Sequence, residues 1–255
     1  NSGGNDRSGN NNRGGGAYLQ TSSHATLRNV SFIGNTLDDS GKGAGLNVDE
    51  NSNVTAVGLT LKDNRAFFAA GLFVGHGCHG TFSNVIATGN EASYGAAIGV
   101  FVGGKPTFDT GLVSDNRALL WGAGVIVYTN AHADFNGFAF DENQAEIGGG
   151  IFMYSQSSAS VSNSRVVSNV ASKHGAGVRM DGRSALVLTN TRVEGNVASL
   201  TGGGAHVTTG ATLTLNGGEI SANTAANGAG LACVGGEHGG GEIIGSGVVV
   251  RENVA

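Results

Sequence analysis

Residues 140–151 read Phe-Asp-Glu-Asn-Gln-Ala-Glu-Ile-Gly-Gly-Gly-Ile, and this stretch decides the fold. An apolar residue, Phe140, stands three positions before Asn143, and Ala145 stands two positions after it. Three small residues and a new apolar segment follow. The same order of residue types recurs along most of the chain, usually every 26 or 27 residues. An internal repeat of this kind means that one structural unit builds the whole chain.

The most regular feature of the repeat is a single Asn. Its spacings are 29, 26, 26, 27, 26, 27, 27 and 30 residues. Stacked amides can bond one another from one coil to the next. We therefore predict a structural amide ladder made of Asn35, Asn64, Asn90, Asn116, Asn143, Asn169, Asn196, Asn223 and Asn253.

Alternating apolar residues follow each small triplet. One inward column begins Leu46, Leu72 and Ile98, and a second, two residues later, runs from Val48 to Cys233. Each repeat holds three short segments of period two, separated by turns of Gly, Asn, Ser and Asp. A repeat this short suits one solenoid coil rather than a unit that contains a helix. The sequence predicts an all-β parallel β-helix of about nine coils of 26–27 residues, with three strands per coil.

The repeat also resembles a known family. Residues 32–35 (Phe-Ile-Gly-Asn) and 140–151 are similar to the FxxN and GGA(I/L/V) repeats of chlamydial polymorphic outer-membrane proteins. The resemblance covers about Gly14 to Ala255 and implies a right-handed β-helix that serves as an adhesin or extracellular stalk. The chain departs from the family in using Gly-Ala-Gly or Gly-Gly-Gly more often than Gly-Gly-Ala, and membrane attachment is not carried over.

The repeat predicts one β-helix domain over residues 1–255, as part of a longer array. Residues 1–13 are expected to be an irregular start, and the period breaks at 36–42 and 235–247 to be loops. The formal net charge is −5 and no basic run occurs, which argues against nucleic acid as a partner. Apolar runs stay short of the roughly 18 residues of a membrane span.

Aromatic residues concentrate on the third to sixth coils, at strand positions that alternation places outside. Large apolar side chains on an outer face form a patch that usually marks an interface. We predict that this aromatic strip binds other subunits, neighbouring domains of the same polypeptide, or glycans. Its members are Phe68, Phe73, Tyr94, Phe101, Trp121, Ile126, Tyr128, Ile147, Phe152 and Tyr154.

Catalytic patterns are incomplete in the sequence. Gly75-His76-Gly77 is the GHG tripeptide of polygalacturonases, but the Arg-x-Lys that accompanies it there is missing, and Asp38-Asp39 is the nearest aspartate pair. Asp63, Asp115 and Glu142 each directly precede a ladder Asn. Asp115 and Glu142 are on successive coils, and a close carboxylate pair suits a retaining glycosidase. The alternative is a solvated turn in which neighbouring arginines offset these charges. We expect no catalytic site.

Metal and cofactor sites are not expected either. His76, Cys78, His79 and His238 are the candidate ligands, but only His76 and Cys78 share a face of an extended strand. Cys78 and Cys233 lie six repeats apart, too far for a disulfide, and Cys233 is expected in the core.

Two further features bear on the exposed surface. Asn29-Val30-Ser31 and Asn53-Val54-Thr55 are glycosylation sequons at Asn29 and Asn53. The Thr residues of 208–214 do not recur from coil to coil, which argues against an ice-binding face.

These features together predict a non-enzymatic extracellular or cell-surface protein: a rigid stalk, adhesin or filament subunit that associates through the aromatic strip. The alternative is a polysaccharide-binding or polysaccharide-degrading β-helix protein.

Overall fold

The computed structural model describes residues 12–236 and 239–255. Within these ranges the chain is all β, and every coil contributes to parallel sheets that run the length of a solenoid. The predicted parallel β-helix of about nine coils is confirmed. The three strand segments of a coil lie in three sheets, which we call the front, long and side sheets.

The front sheet is built from the short strands that follow the small triplets. Neighbouring strands pair in parallel register, one coil apart. Its nine strands are Ala17–Leu19, Leu46–Val48, Leu72–Val74, Ile98–Phe101, Val125–Tyr128, Ile151–Tyr154, Val178–Met180, Ala205–Val207 and Leu231–Cys233.

The long sheet holds the next segment of each coil. In the first five coils this segment is one ten-residue strand with a left-handed residue in the middle, such as Asn29, Gly58 or Asn84, which bends it. In later coils the same bend separates two strands. The strands are His24–Ile33, Asn53–Lys62, His79–Thr88, Lys105–Ser114, His132–Asp141, Ser158–Ser162, Arg165–Val167, Ala185–Thr189, Arg192–Glu194, Thr212–Asn216, Glu219–Ser221, Glu242–Ser246 and Val249–Arg251.

The side sheet closes the coil between the ladder Asn and the next triplet. Its five strands are Glu91–Tyr94, Arg117–Trp121, Gln144–Ile147, Val170–His174 and Val197–Ala198. Isolated bridges such as Lys42 to Phe68 and Phe68 to Tyr94 extend the same stacking to earlier coils.

The two predicted loops differ in the structure. Residues 37–41 turn between Thr36 and Lys42, each of which bridges to the following coil. The prediction of a loop over 235–247 is wrong in extent. In the described part of this range, Gly235–Gly236 pairs with Gly239–Gly240 as a short antiparallel hairpin, and Glu242–Ser246 returns to the long sheet in register with Thr212–Asn216. Periodic pairing resumes there because Ile243 packs against the core.

The interior of the solenoid is a continuous apolar core. Both predicted inward columns lie in register and bury their side chains over most coils. In the long sheet the rings of Phe82, Phe108 and Phe135 stack with centroids 4.9 and 4.6 Å apart. Cys233 ends its column exposed, so its predicted burial is wrong: no described strand follows Leu231–Cys233 in the front sheet to cover it.

The repeated Asn residues form a hydrogen-bonded ladder. In each of the eight steps from Asn35 to Asn253, the backbone N–H and the side-chain Nδ2 donate to the Oδ1 of the next Asn, at 2.9–3.2 Å. From Asn64 onward, Nδ2 also donates to a backbone carbonyl of the preceding coil, as Asn116 does to Ala87. Each amide from Asn64 to Asn223 thus ties three successive coils together.

Candidate binding groove

The outer face of the front sheet carries a second, smaller apolar cluster. Ala69, Phe73, Phe101, Ile126 and Phe152 are its buried members. Partly buried side chains pack on them from the side-sheet column and from the last residues of two front-sheet strands: Phe68, Tyr94, Trp121, Tyr128, Ile147 and Tyr154. This cluster holds all ten residues of the predicted aromatic strip.

Two glycines make room for the floor of this cluster. An added Cβ on Gly75 would lie 2.5 Å from the ring of Phe73, and one on Gly99 would lie 2.4 Å from the ring of Phe101. Phe73 therefore lies over Gly75, directly after its strand, and Phe101 lies over Gly99 of its own strand. The two rings stack across neighbouring coils with centroids 5.0 Å apart and planes 12° apart. The alternation of Phe and Gly at these positions creates the stack.

The predicted exposure of the strip is wrong for four of its members. Phe73, Phe101, Ile126 and Phe152 are buried, with at most 7% of their surface exposed. The alternation of the strand does place them outside the main core. However, rings from adjoining segments cover them, as Trp121 covers Phe152 with centroids 5.3 Å apart. The other six members are partly exposed.

The partly exposed rings leave a depression of about 420 Å³ between them, which we call the aromatic groove. Phe73, Phe101 and Ile126 form its floor. Its rims come from the side-sheet columns and from the turns that follow the front sheet. The lining residues are Lys42, Phe67, Phe68, Phe73, His76, Tyr94, Phe101, Val102, Trp121, Ile126, Tyr128 and Thr129. A cavity of this volume, with mainly aromatic walls, is typical of a ligand site.

One end of the aromatic groove is polar. Asp49 has a fully buried side chain, and its two carboxylate oxygens lie 2.7 Å from His76 Nδ1 and 3.2 Å from a guanidinium nitrogen of Arg13. Arg13 also approaches Glu50 at 3.5 Å. Lys42 lies beside this network, with its Nζ 5.7 Å from the ring centroid of Phe73. Burial lowers the pKa of Lys42.

Beyond the other end of the groove the same columns become polar. Arg179 takes the place of Phe152, and His206 takes the place of Arg179 on the following coil. Arg179 donates to Asp181 at 2.9 Å, but two of its other guanidinium nitrogens are buried without a hydrogen-bond partner among the described residues. The hydroxyl of Thr201 lies within hydrogen-bond distance of both His174 and His206.

His206 predicts a pH dependence of stability. Burial, followed by the charge of Arg179, lowers its pKa from 6.5 to about 3. The folded protein therefore keeps His206 neutral, while the unfolded chain takes up a proton below pH 6.5. The resulting stability is complete above pH 6.5 and is lost as the pH falls towards 3. Between pH 7 and 4.5, we expect the free energy of unfolding of the His206→Asn variant to fall by about 1–2 kcal/mol less than that of the wild type. Thermal unfolding at a series of pH values measures this difference.

The control for this prediction is His24→Asn, because His24 is exposed on the long sheet. That variant should follow the wild-type profile throughout. If His206→Asn also follows the wild-type profile, then His206 titrates as an ordinary histidine and the predicted coupling is wrong.

The other candidate catalytic residues lie on turns, away from the lining of the aromatic groove. Asp115 and Glu142 are exposed on their turns, and Asp63 pairs with Lys62 at 3.9 Å. Among the described residues no three His, Cys, Asp or Glu side chains gather as for a metal ion, and His238 lies outside those residues. Cys78 and Cys233 are both free, as predicted. Asn29 and Asn53 are exposed, and their glycosylation stays a prediction.

A Thr column occurs on the long sheet, outside the 208–214 segment in which the sequence showed no recurrence. Thr26, Thr55, Thr81 and Thr107 stand in register on the outer face of the long sheet. The register shows that Asp134 succeeds Thr107, so the column ends after four coils. A second depression of about 450 Å³ lies along it, with His24, His79 and Lys105 in its lining.

The comparisons with known proteins agree with this architecture. A family model described as a right-handed β-helix region matches residues 4–144 and also residues 44–254. None of the curated proteins is significantly similar to the chain, and neither is any solved structure.

Proposed function

The chain belongs to the right-handed β-helix family, and from this premise we propose that it is a non-enzymatic scaffold outside the cell or on its surface. It acts as a rigid stalk, adhesin or filament subunit, and it associates with its partner through the aromatic groove. The groove carries the proposal, because it is the place where partly exposed aromatic rings surround a ligand-sized space. In the described part of the chain, no helix is long and apolar enough to cross a membrane.

The ladder supports a mechanical role. Every coil is tied to the next by Asn amides, by parallel strands and by stacked apolar columns. About nine coils with a spacing of about 4.8 Å give a rod of roughly 43 Å. Bending such a rod breaks many of these contacts at once, which makes it a stiff support for a binding surface.

The groove supports association through an inserted group rather than through two flat faces. Its floor is already buried, so a partner contacts the rims, where Tyr94, Trp121 and Tyr128 keep exposed ring surface. The centres of protein interfaces are typically rich in aromatic residues and are surrounded by polar residues. We therefore expect the partner to place a side chain or a ring between these residues.

The test is the combined variant Trp121→Ser and Tyr128→Ser. We expect the wild-type chain to form oligomers or filaments as its concentration rises, as seen by light scattering and negative-stain imaging. The double variant should stay monomeric and folded, because the main core and the Asn ladder do not include either ring. Leu119→Ser is the matched control, since Leu119 is an exposed apolar residue outside the groove.

Two results would contradict the proposal. A wild-type chain that remains monomeric at high concentration has no self-association through the groove. A double variant that unfolds shows that the rings serve the fold, and an interface role then lacks support.

A second candidate function is binding or cleavage of a polysaccharide. The observation in its favour is that the pair of His76 and the buried Asp49 stands at one end of the aromatic groove. A carboxylate that holds one ring nitrogen of a His is a common arrangement for a general base. Depolymerisation assays on acidic and neutral polysaccharides, with His76→Ala as the inactive control, decide between this function and the scaffold.

A further inference from the structure

The charge distribution along the aromatic groove is one-sided. Lys42 is the one lining residue with a permanent charge, and the lining contains no Asp, Glu, Asn or Gln. The nearby carboxylates are already paired: Asp49 contacts Arg13 and His76, and Glu50 contacts Arg13. Among the described residues, the ammonium of Lys42 forms no ion pair within 4 Å and lies near the rings of Phe68 and Phe73. Burial and the charge of Arg13 lower the pKa of Lys42, while the charge of Asp49 raises it. The groove thus has at one end a lysine ammonium without a direct ion-pair partner among the described residues.

The rest of the lining suits apolar groups. A sugar or an internal peptide segment brings several hydroxyl or amide groups that need hydrogen-bond partners when they are buried. Few such partners line the groove, and they are His76, Thr129 and the polar edges of Tyr94, Trp121 and Tyr128. One anionic group at Lys42 and an apolar body along the rings match this lining better.

The length of the groove sets the size of that body. Lys42, Phe68, Tyr94 and Trp121 stand in register on four successive coils. Three coil spacings of about 4.8 Å make roughly 14 Å. A single benzene ring with a carboxylate fills about half of this length, so there is room for a second apolar side chain beyond the ring.

We propose that the aromatic groove binds the C-terminal end of a partner polypeptide whose last residue is aromatic. The terminal carboxylate pairs with Lys42, the last ring lies against Phe68 and Phe73, and the preceding apolar side chain reaches Trp121. This inference rests on the proposed association through the groove and names the group that enters it. Other peptide-binding proteins also recognise the free carboxylate of a chain end, there through backbone N–H groups.

The test uses the intact chain and its single tryptophan, Trp121, which lines the groove and reports its occupancy. The probes are acetyl-Gly-Leu-Phe with a free carboxylate and the same peptide with a C-terminal amide. Neither peptide absorbs at 295 nm, so Trp121 can be excited selectively at that wavelength. We expect the free acid to change the Trp121 emission with an affinity about tenfold higher than the amide, because one charge-assisted contact separates the two.

Variants at Lys42 test the charged end. Lys42→Met should bring the free acid down to the affinity of the amide, and Lys42→Arg should keep the preference for the acid. Lys105→Met is the control, because Lys105 is exposed on the long sheet away from the groove. Since the Lys42 side chain makes no hydrogen bond among the described residues, these variants should unfold at the wild-type temperature.

Four results would overturn the inference. Equal affinity of acid and amide for the wild type removes the role of Lys42. Equal affinity of 4-phenylbutyrate and the free peptide shows a site for a small aromatic acid rather than for a polypeptide end. Binding of an acidic trisaccharide without binding of the peptide favours the polysaccharide function. Concentration-dependent oligomers that do not respond to the peptide would leave the proposed association intact while this inference fails.

Discussion

Replacing Asn116 with Leu lowers the free energy of unfolding by about 4 kcal/mol, because several buried groups lose their partners at once. The backbone N–H and Nδ2 of Asn90 both donate to Asn116 Oδ1, at 3.0 and 2.9 Å. Nδ2 of Asn116 donates to the carbonyls of Ala87 and Ser114 and to Asn143 Oδ1. Leu has a similar volume but cannot make these bonds. Urea or thermal unfolding followed by circular dichroism measures the loss.

Asn136→Leu is the matched control for this prediction. Asn136 lies on the long sheet at an exposed position and bonds only to other surface side chains, such as Asp109. Its replacement should change the free energy of unfolding by less than about 1 kcal/mol. If both variants lose the same stability, then the ladder contributes no more than an ordinary surface hydrogen bond, and the ladder does not hold the rod together.

The architecture of the rod was accessible from the sequence because each of its determinants repeats. The spacing of the Asn residues fixes which residues stack, and the two apolar columns before Cys233 follow from that spacing and from strand alternation. Register in a parallel solenoid is therefore a matter of counting. Cys233 shows the limit of this reasoning, because its burial depends on a further strand and not on its column.

The aromatic groove was only partly accessible. Counting places Phe73, Phe101 and Phe152 on the outer face of the front sheet, and the structure agrees. Their burial depends on the direction in which each ring turns, and for Phe73 and Phe101 the glycines Gly75 and Gly99, two positions away along the chain, leave space for that turn. The sequence of one column does not show which way its rings turn, because the glycine that makes room for each ring belongs to the neighbouring column.

The polar end of the groove was missed for a different reason. Lys42 lies at the end of the period break at 36–42, where counting from the ladder Asn no longer gives the register. Asp49 contacts His76 diagonally across two neighbouring coils. Val48 pairs with Val74, so the residue directly opposite Asp49 is Gly75 and not His76. Interactions between neighbouring columns of different coils need coordinates, and the site depends on them.

The groove lies on the outer face of the front sheet because that face is less constrained than the inner face. The inward columns must hold one apolar residue per coil to fill the core, whereas the outer face of the front sheet is free to vary. It changes from Asp49 and Arg13 at one end, through the aromatic residues, to Arg179 and His206 at the other. A regular rod can thus carry a local binding site without any loss of regularity in its ladder or core.

The regularity itself depends on the small triplets, and Gly150→Val should therefore destabilise the rod by about 3 kcal/mol through overpacking. A Cβ on Gly150 would lie 2.6 Å from the carbonyl oxygen of Gly177 on the next coil and 2.9 Å from Val166 in the core. Neither group has space to move, because the coil spacing is fixed on both sides by the ladder. The thermal midpoint of the variant should fall by several degrees.

Two comparisons make this prediction specific. Ala97 occupies the column of Gly71, Gly124 and Gly150 and is fully buried there, so the rod accepts a single methyl group, and Gly150→Ala should lose less stability than Gly150→Val. Gly235→Val is the control, since no atom of the described residues lies within 4 Å of a Cβ added there. A Gly150→Val variant as stable as Gly235→Val would mean that neighbouring coils separate easily, and a rod of such coils would be too soft to serve as a stalk.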